Sequence, residues 1–356
     1  MTIIITGGSG FIGSNFIHSW FKDQNEKLIN IDCLTYAGNN LNLVKFKNKK
    51  NYQFKKYNIN EAKKISNLLK KEKPRVIINF AAESHVDRSI LSPEIFINTN
   101  IVGLFNLLEV TKKYYNSLND INKNNFKFIQ VSTDEVYGSL KKNEKPFLET
   151  SLYKPNSPYA ASKASGDHLV RSYRETYKLP TFVTNCSNNY GPYQFLEKLI
   201  PLIINNALNE KTIPIYGNGK QIRDWIYVED HCAALKLITN KKTLKSTFYN
   251  VGSNNEQTNL SIVNTICNKL DVIRPRNNNQ SYKKLIKFVA DRPGHDFRYA
   301  INSNRIIKEL NWAPLTSLEK GIDKTINWYL KNNDWIKKTQ SKDYNSWIKS
   351  NYSKRK

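Results

Sequence analysis

The stretch MTIIITGGSGFIG, residues 1–13, joins an apolar strand-like run to a glycine turn and then to a helical pattern. Its glycines Gly7, Gly10 and Gly13 follow the spacing GxxGxxG. Glycines permit the tight turn, and they let backbone N–H groups and the N-terminus of the following helix approach a pyrophosphate. The stretch therefore predicts the first βα unit of a dinucleotide-binding fold.

Strand and helix patterns alternate through the first half of the chain. Strands are expected at residues 2–6, 27–31, 52–55, 75–79, 126–132 and 181–185, and helices at 11–21, 62–71, 93–115 and 158–177. Such alternation is typical of an α/β protein with a Rossmann-type doubly wound parallel sheet, whose ligands bind at the carboxyl ends of the strands. The polar segment 117–125 is expected to be a surface loop.

The second half is less regular and richer in Pro and Asn. We expect a Rossmann domain formed by residues 1–188 plus about 224–252. A smaller C-terminal substrate-binding domain is expected from about 189–223 and 253–356.

The net charge of +25 over 356 residues admits two interpretations. A nucleic-acid or other polyanionic partner is one, and it would make the protein a binding module on a dehydrogenase fold. The other is biased residue usage, which is favoured because the basic residues are dispersed. Their clusters at 47–50 and 354–356 are too short for a basic arm, so no nucleic-acid partner is expected.

The cysteines and histidines form no recognisable ligand pattern. Four cysteines show no CxxC spacing and five histidines lie scattered, so neither a disulfide framework nor a metal site is expected. No secretory leader and no apolar run of membrane-spanning length is apparent. A cytoplasmic location without a membrane partner is the expectation.

The second predicted strand ends in NIDC, which contains Asp32. Its distance from the glycine turn is about that expected for the acid that binds the adenosine ribose. A carboxylate there accepts hydrogen bonds from both ribose hydroxyls and repels a 2′-phosphate. The sequence therefore predicts NAD rather than NADP as the cofactor.

The stretch SPYAASKASGDHLV places Tyr159 and Lys163 four residues apart on a predicted helix. That spacing brings both side chains to one face, where an ammonium and the positive nicotinamide would favour the phenolate. Tyr159 then serves as the base of a dehydrogenase. The upstream stretch VSTDEVYG adds the adjacent acids Asp134 and Glu135, for which a simple dehydrogenase has no use.

TGGSGFIG, STDEVYG and YAASK, in this order, resemble the extended short-chain dehydrogenases that act on nucleotide sugars. Longer stretches resemble the dTDP-glucose 4,6-dehydratase family, and the similarity runs nearly end to end. These stretches are DCLTYAGN (32–39), AAESHVDRSI (81–90), NCSNNYGPYQFLEKLIP (185–201), GNGKQIRDWIYVEDH (217–231), DRPGHDFRYAI (291–301) and WIKSNY (347–352).

The resemblance implies an NAD-dependent hydro-lyase with dTDP-glucose as substrate. Tyr159 removes the proton of the sugar 4-hydroxyl, assisted by a hydrogen bond from Thr133, while NAD takes hydride from C4. Glu135 then removes the acidified C5 proton and Asp134 donates a proton to the departing 6-hydroxyl. Hydride returns to C6, so the product is a 4-keto-6-deoxy sugar and the cofactor ends oxidised.

The resemblance also implies the contact residues. Those for NAD are Gly7, Gly10, Phe11, Ile12, Gly13, Asp32, Cys33, Leu34, Thr35, Asn58, Ile59, Phe80, Ala81, Ala82, Glu83, Thr99, Tyr159, Lys163 and Asn189. Those for the sugar nucleotide are Ser84, Thr133, Asn188, Lys198, Leu199, Pro214, Tyr216, Arg223, Asn259, Arg292, His295 and Tyr352. One departure is Asn58, where the family usually has aspartate at the adenine contact.

Two further points follow from the resemblance. A homodimer is implied, formed by the predicted helices 93–115 and 158–177. Other members of the superfamily remain as alternatives: a 4-epimerase, a decarboxylase or a dehydratase for another nucleotide sugar. An epimerase needs the tyrosine but has no use for an acid pair, so Asp134 and Glu135 argue against it.

Overall fold

A seven-stranded parallel sheet with helices on both faces forms the centre of the computed structural model, which describes residues 1–353. The basic cluster at 354–356 lies outside the described residues.

The strands are β1 (Thr2–Thr6), β2 (Lys27–Ile31), β3 (Tyr52–Lys55), β4 (Val76–Asn79), β5 (Lys127–Thr133), β6 (Thr181–Cys186), β7 (Asn188–Tyr190), β8 (Ile213–Tyr216), β9 (Ile222–Tyr227), β10 (Phe248–Val251), β11 (Glu256–Thr258), β12 (Ile286–Val289) and β13 (Arg298–Tyr299). The helices are α1 (Phe11–Asp23), α2 (Ala62–Glu72), α3 (Val86–Leu91), α4 (Pro93–Phe96), α5 (Leu104–Asn116), α6 (Asp120–Asn125), α7 (Pro158–Tyr177), α8 (Leu199–Leu208), α9 (Val228–Asn240), α10 (Asn259–Ile273), α11 (Asn304–Leu310), α12 (Leu318–Lys331), α13 (Asn333–Thr339) and α14 (Lys342–Ser353).

The strand order of the large sheet is β3-β2-β1-β4-β5-β6-β10. Apolar β-branched residues fill its central strands, as expected for parallel strands that are covered on both faces. One face packs against α1 and α9, and the other against α2, α5 and α7. The order in which successive strands are added to the sheet reverses between β1 and β4, and such sheets bind their ligands at this point. The predicted fold class is confirmed.

A second region lies at the carboxyl edge of the large sheet. In it β9 pairs with β7, β11 and β13, and β8 pairs with β12. Its own apolar core is formed mainly by α8, α10 and α12. This region faces the strand ends that carry the predicted catalytic residues. The boundaries given above for the two domains stay a prediction.

Two segments differ from the expectations. The predicted loop 117–125 is wrong in part, because α6 forms there with the side chain of Asn119 accepting from the N–H of Asn122 at 3.0 Å. The predicted helix 93–115 is interrupted by a wider π-helical segment, Ile97–Gly103. Within it Asn100 turns inward and bonds both backbone groups of Glu83, at 2.9 and 3.0 Å.

Among residues 1–353, no helix combines the length and the apolar character that crossing a membrane requires.

Candidate active site

The glycine turn brings α1 against the end of β1. Gly7 has φ +70°, and a Cβ there would lie 2.5 Å from the backbone nitrogen of Ala81. A Cβ on Gly13 would lie 2.5 Å from the carbonyl oxygen of Gly7. The N-cap of α1 is Gly10, which offers no side-chain hydrogen bond. The first N–H groups of this helix therefore face the cleft as an anion-binding end.

Asp32 lies at the end of β2, beside the glycine turn. Its two carboxylate oxygens accept from the N–H groups of Ser9, at 2.9 Å, and of Leu34, at 2.8 Å. Burial raises the pKa of Asp32, and these two backbone hydrogen bonds oppose the rise. Leu34 has φ +60° and shapes this loop through its backbone, whereas its neighbours Cys33 and Thr35 line the cleft.

One cleft joins the glycine turn to the acid pair. The residues expected at the cofactor that line this cleft are Gly7, Gly10, Phe11, Ile12, Gly13, Asp32, Cys33, Thr35, Asn58, Ile59, Phe80, Ala81, Ala82, Glu83, Thr99, Tyr159, Lys163 and Asn189. The residues expected at the substrate or in catalysis that line it are Ser84, Thr133, Asp134, Glu135, Asn188 and Lys198.

The cleft fits a nicotinamide dinucleotide. An uncapped helix N-terminus beside Gly10 suits the pyrophosphate, and the buried carboxylate of Asp32 suits a ribose without a 2′-phosphate. Tyr159 and Lys163 lie further along the same cleft, where the nicotinamide would reach. At the adenine end, the side-chain oxygen of Asn58 accepts from the N–H of Asn60 at 2.9 Å, which fixes the orientation of its amide.

The acid pair begins a short 3-10 helix, Asp134–Tyr137, directly after β5. The hydroxyl of Thr133 caps this helix by accepting from the N–H of Glu135 at 3.3 Å. Asp134 is only 2% exposed, and its Oδ2 has no partner among the described residues. Burial, followed by the charges of Glu135 and Asp224, raises the pKa of Asp134 well above its ordinary value. These surroundings favour the protonated form of this carboxyl.

Glu135 has different neighbours. Burial raises its pKa, but Arg292, Arg223 and Lys198 act in the opposite direction by stabilising the carboxylate. The charges around the two acids therefore differ: anions outweigh Arg223 beside Asp134, whereas three cations outweigh Asp296 beside Glu135. Such a difference separates the pKa values of an acid and a base that must work together.

Tyr159 and Lys163 lie one turn apart on α7, and both are buried. Burial and the charge of Glu135 raise the pKa of Tyr159 well above its ordinary value, while the side chain of Thr133 opposes this rise. The ammonium of Lys163 donates to the carbonyl oxygen of Val131 at 2.8 Å. The expected phenolate therefore requires positive charge in the cleft, which an oxidised nicotinamide would bring.

A polar cluster lies beyond the acid pair. The hydroxyl of Tyr216 donates to Asp87 at 2.8 Å, and Arg292 lies 3.6 Å from the same carboxylate. The rings of His295 and Tyr352 lie 6.2 and 5.9 Å from the Tyr216 ring. Burial and the neighbouring arginines lower the pKa of His295 to about 4, so this ring is neutral at neutral pH. The structure thus brings together four of the predicted substrate residues.

Of the remaining predicted substrate residues, Arg223 lies within electrostatic reach of Arg292 and His295. The guanidinium of Arg223 donates to the carbonyl oxygens of Ile222 and Asp296, at 2.7 and 2.9 Å, and lies 4.2 Å from the Tyr299 ring. Leu199 begins α8, Pro214 lies in β8 two residues before Tyr216, and Asn259 begins α10.

Sequence reasoning missed several polar residues of the site. Asp87 and Tyr299 lie inside quoted stretches, and Asp224 directly follows Arg223. Asp167 repeats the four-residue spacing of Tyr159 and Lys163 along α7, and this was the signal available for it. The hydroxyl of Tyr299 donates to Asp296, three residues earlier. Tyr299 also lies within electrostatic reach of Glu135, which is distant in the sequence, so no local pattern predicts this interaction.

The same arrangement of elements and motifs occurs in known proteins. A family model described as GDP-mannose 4,6 dehydratase matches residues 4–325. The chain is 51% identical to the dTDP-glucose 4,6-dehydratase of Salmonella typhimurium, with complete coverage of both chains.

Two solved structures extend this similarity to three dimensions. The dTDP-glucose 4,6-dehydratase of Bacillus anthracis in complex with NAD has a TM-score of 0.83 at 43% identity, covering 95% of this chain and 99% of that one. The enzyme of the same name from Streptomyces venezuelae, with NAD and TYD bound, has a TM-score of 0.84 at 36% identity, covering 94% and 98%. The chain therefore belongs to the GDP-mannose 4,6 dehydratase family, and within it to the dTDP-glucose 4,6-dehydratases.

Proposed function

We propose that this protein converts dTDP-glucose to dTDP-4-dehydro-6-deoxyglucose and water. The observation that carries the proposal is the acid pair Asp134 and Glu135, which meets opposite charges in the cleft that also contains Tyr159. The relatives named above carry the same activity in their names.

The residues at the glycine turn and around Asp32 would hold NAD. When bound, this cofactor accepts a hydride from C4 of the sugar and later returns it to C6. Backbone N–H groups at the start of α1 would bind the pyrophosphate, and Asp32 the adenosine ribose.

Tyr159 takes the proton of the sugar 4-hydroxyl as C4 becomes a ketone. Thr133 faces the Tyr159 phenol and would bond the same hydroxyl, which fixes the direction of proton transfer. Lys163 supplies positive charge one turn away on α7.

The C4 ketone makes the C5 proton acidic, and Glu135 removes it. Arg292, Arg223 and Lys198 stabilise the carboxylate form that this step requires. Asp134, whose protonated form is favoured by burial, donates its proton to the departing 6-hydroxyl, so water leaves. Glu135 then returns its proton to C5 as C6 is reduced.

The cluster around Tyr216 is proposed to hold the nucleotide portion of the substrate. Arg223 and Arg292 supply planar guanidinium groups suited to a diphosphate. Tyr216, His295 and Tyr352 surround the adjoining space with aromatic rings.

The protein is also proposed to work as a homodimer. Leu91, Ile95, Val102 and Phe105 are exposed apolar residues of the segment from α3 to α5, and Phe105 is 45% exposed. Exposed apolar side chains concentrated in one segment mark an interaction surface. The partner surface would include α7, which packs beside α5.

A cytoplasmic location is proposed as well. The four cysteines carry free thiols, as expected for a protein of a reducing compartment.

The main alternative is a 4-epimerase or decarboxylase on the same fold. Incubating the NAD-loaded protein with dTDP-glucose, UDP-glucose and GDP-mannose separates these functions. We expect a 4-keto-6-deoxy product from dTDP-glucose, detected by NMR. Formation of an epimerised or decarboxylated sugar, with no deoxy product from any donor, would refute the proposal.

A further inference from the structure

A buried carboxylate lies behind the catalytic residues, outside the cleft. Asp167 is 1% exposed and lies on α7, one turn beyond Lys163 and two turns beyond Tyr159. Tyr159 and Lys163 line the cleft, so the three residues form a line from the reacting atoms into the core. The mechanism described above makes no use of this buried acid.

One carboxylate oxygen of Asp167 is held by donors from three segments. Ser132 donates to Oδ2 at 2.8 Å, Tyr153 at 3.1 Å and the side-chain amide of Asn185 at 3.2 Å. The same amide lies 3.2 Å from the carbonyl oxygen of Thr133. This network ties α7 to the end of β5, from which the acid pair follows.

The other oxygen, Oδ1, is buried and has no hydrogen-bond partner among residues 1–353. Three donors stabilise the ionised form of the carboxyl, whereas burial disfavours it and raises the pKa of Asp167 to about 6. At neutral pH the group is therefore mostly charged, although the fold gains nothing from its ionisation. A buried charge retained at such a position suggests a role in the reaction.

Asp167 interacts electrostatically with the ammonium of Lys163, which favours the ionised carboxylate. Burial lowers the pKa of Lys163, and the opposing influence is chiefly that of Asp167. The other titratable group facing Lys163 is the thiol of Cys186 on β6. On its far side Asp167 faces the phenols of Tyr153 and Tyr137, and His168 contacts the Tyr153 ring from the surface.

We propose that Asp167 is a positioning residue for the reaction, because its negative charge keeps the buried side chain of Lys163 an ammonium. Through Ser132 and Asn185 it also fixes the end of β5, which carries Thr133. Asp167 touches neither substrate nor cofactor and acts through Lys163. This inference rests on the proposed function, in which Lys163 must be charged while Tyr159 takes a proton.

The proposal predicts a change in pH dependence. Removing a nearby negative charge lowers the pKa of Lys163, so its ammonium is lost at a lower pH. In NAD-loaded Asp167→Asn acting on dTDP-glucose, the alkaline limb of the kcat profile should move down by about one pH unit. Asp167→Ser removes the same charge and leaves room for water to meet Ser132 and Tyr153, so it should show the same displacement.

Two variants that keep the charge serve as controls. Tyr153→Phe removes one hydrogen bond to the same oxygen, and Asp167→Glu retains the carboxylate. Both should lower kcat without moving the alkaline limb. The thermal midpoint of Asp167→Asn should be no lower than that of Tyr153→Phe, because the lost charge was disfavoured by burial.

The role of the charge would be overturned if the alkaline limb of the kcat profile kept its wild-type position in a folded Asp167→Asn or Asp167→Ser variant. An equal displacement of that limb in Tyr153→Phe would overturn it as well. Wild-type protein that leaves dTDP-glucose unchanged would instead refute the proposed function. The two failures are therefore distinguishable.

Discussion

At the scale of single residues, the site depends on how burial and neighbouring charges separate two adjacent acids. Asp134 is influenced mainly by the anions Glu135 and Asp224, whereas Glu135 is influenced mainly by three cations. The resemblance named the acid and the base, and the structure supplies a physical reason for that assignment. The same reasoning predicts how substitutions will affect stability and activity differently.

Replacing Asp134 by Asn should remove activity and spare the fold. The folded-state pKa of Asp134 is raised above the ordinary 3.8, so the fold prefers the protonated form. The contribution of this group to the free energy of unfolding is therefore fully present below pH 3.8, and it is lost as the pH rises through the raised pKa. An amide does not ionise and avoids this loss, while proton donation to the leaving hydroxyl, worth about 10²–10⁴ in rate, disappears.

The measurement compares thermal midpoints and kcat of Asp134→Asn and wild type at neutral and mildly acidic pH. We expect the variant to be at least as stable at neutral pH, with the difference shrinking toward acid. A thermal midpoint of Asp134→Asn clearly below that of the wild type would contradict the expected stability, and a normal kcat would contradict the expected loss of activity.

At the scale of secondary-structure elements, α14 contacts both Arg88 and the cluster around Tyr216. The Arg88 guanidinium lies 4.3 Å from the centroid of the Trp347 ring and 3.9 Å from that of Tyr36, a residue of the loop after β2. Arg88 also pairs with Glu197 at 3.0 Å. Near the end of α14, Asn351 donates to the Tyr216 hydroxyl at 3.0 Å.

Trp347→Ala should therefore weaken substrate binding more than it slows the chemical steps. Losing one cation–π face costs about 1 kcal/mol, which corresponds to a KM for dTDP-glucose raised about fivefold. Lys349→Ala is the matched control, because Lys349 lies on the exposed side of the same helix. Steady-state kinetics measure the KM for dTDP-glucose of both variants. An equal KM in Trp347→Ala and Lys349→Ala would show that α14 does not support the substrate cluster.

Sequence patterns predicted the elements whose signal is local. Six strands of the central sheet were predicted within about one residue, because each is a short apolar run between helical patterns. The edge strand β10 was not predicted, since it reaches the sheet only through long-range pairing with β6. Helix α6 was missed because its polar composition hides the N-cap at Asn119.

The site residues that stand in short motifs were also predictable, because their signal is local. Tyr159, Lys163 and the acid pair stand in short motifs, and the structure brings them to one cleft. The interactions of Asp167 with Ser132, of Asp87 with Tyr216 and of Tyr299 with Glu135 join segments far apart in the sequence, so no local motif predicted them.

At the scale of the whole molecule, the exposed apolar face from α3 to α5 should determine the assembly. Phe105→Glu places a charge within this face and should shift the protein from dimer to monomer, as measured by analytical ultracentrifugation. Leu315→Glu is the matched control, since Leu315 is 89% exposed and lies outside the face. Dissociation caused by Leu315→Glu, or a dimer unaffected by Phe105→Glu, would rule out this interface.

The molecule as a whole combines a dinucleotide-binding sheet with an acid pair at its carboxyl edge. The central proposal is that the cofactor is reduced only temporarily, and that the C4 ketone formed in that step activates the C5 proton for elimination. The most direct test is turnover of dTDP-glucose by NAD-loaded protein in deuterium oxide, followed by NMR of the product. We predict solvent deuterium at C5 with no net build-up of reduced cofactor, and no label with Glu135→Gln; product from wild-type protein that lacks deuterium at C5 would contradict the claim.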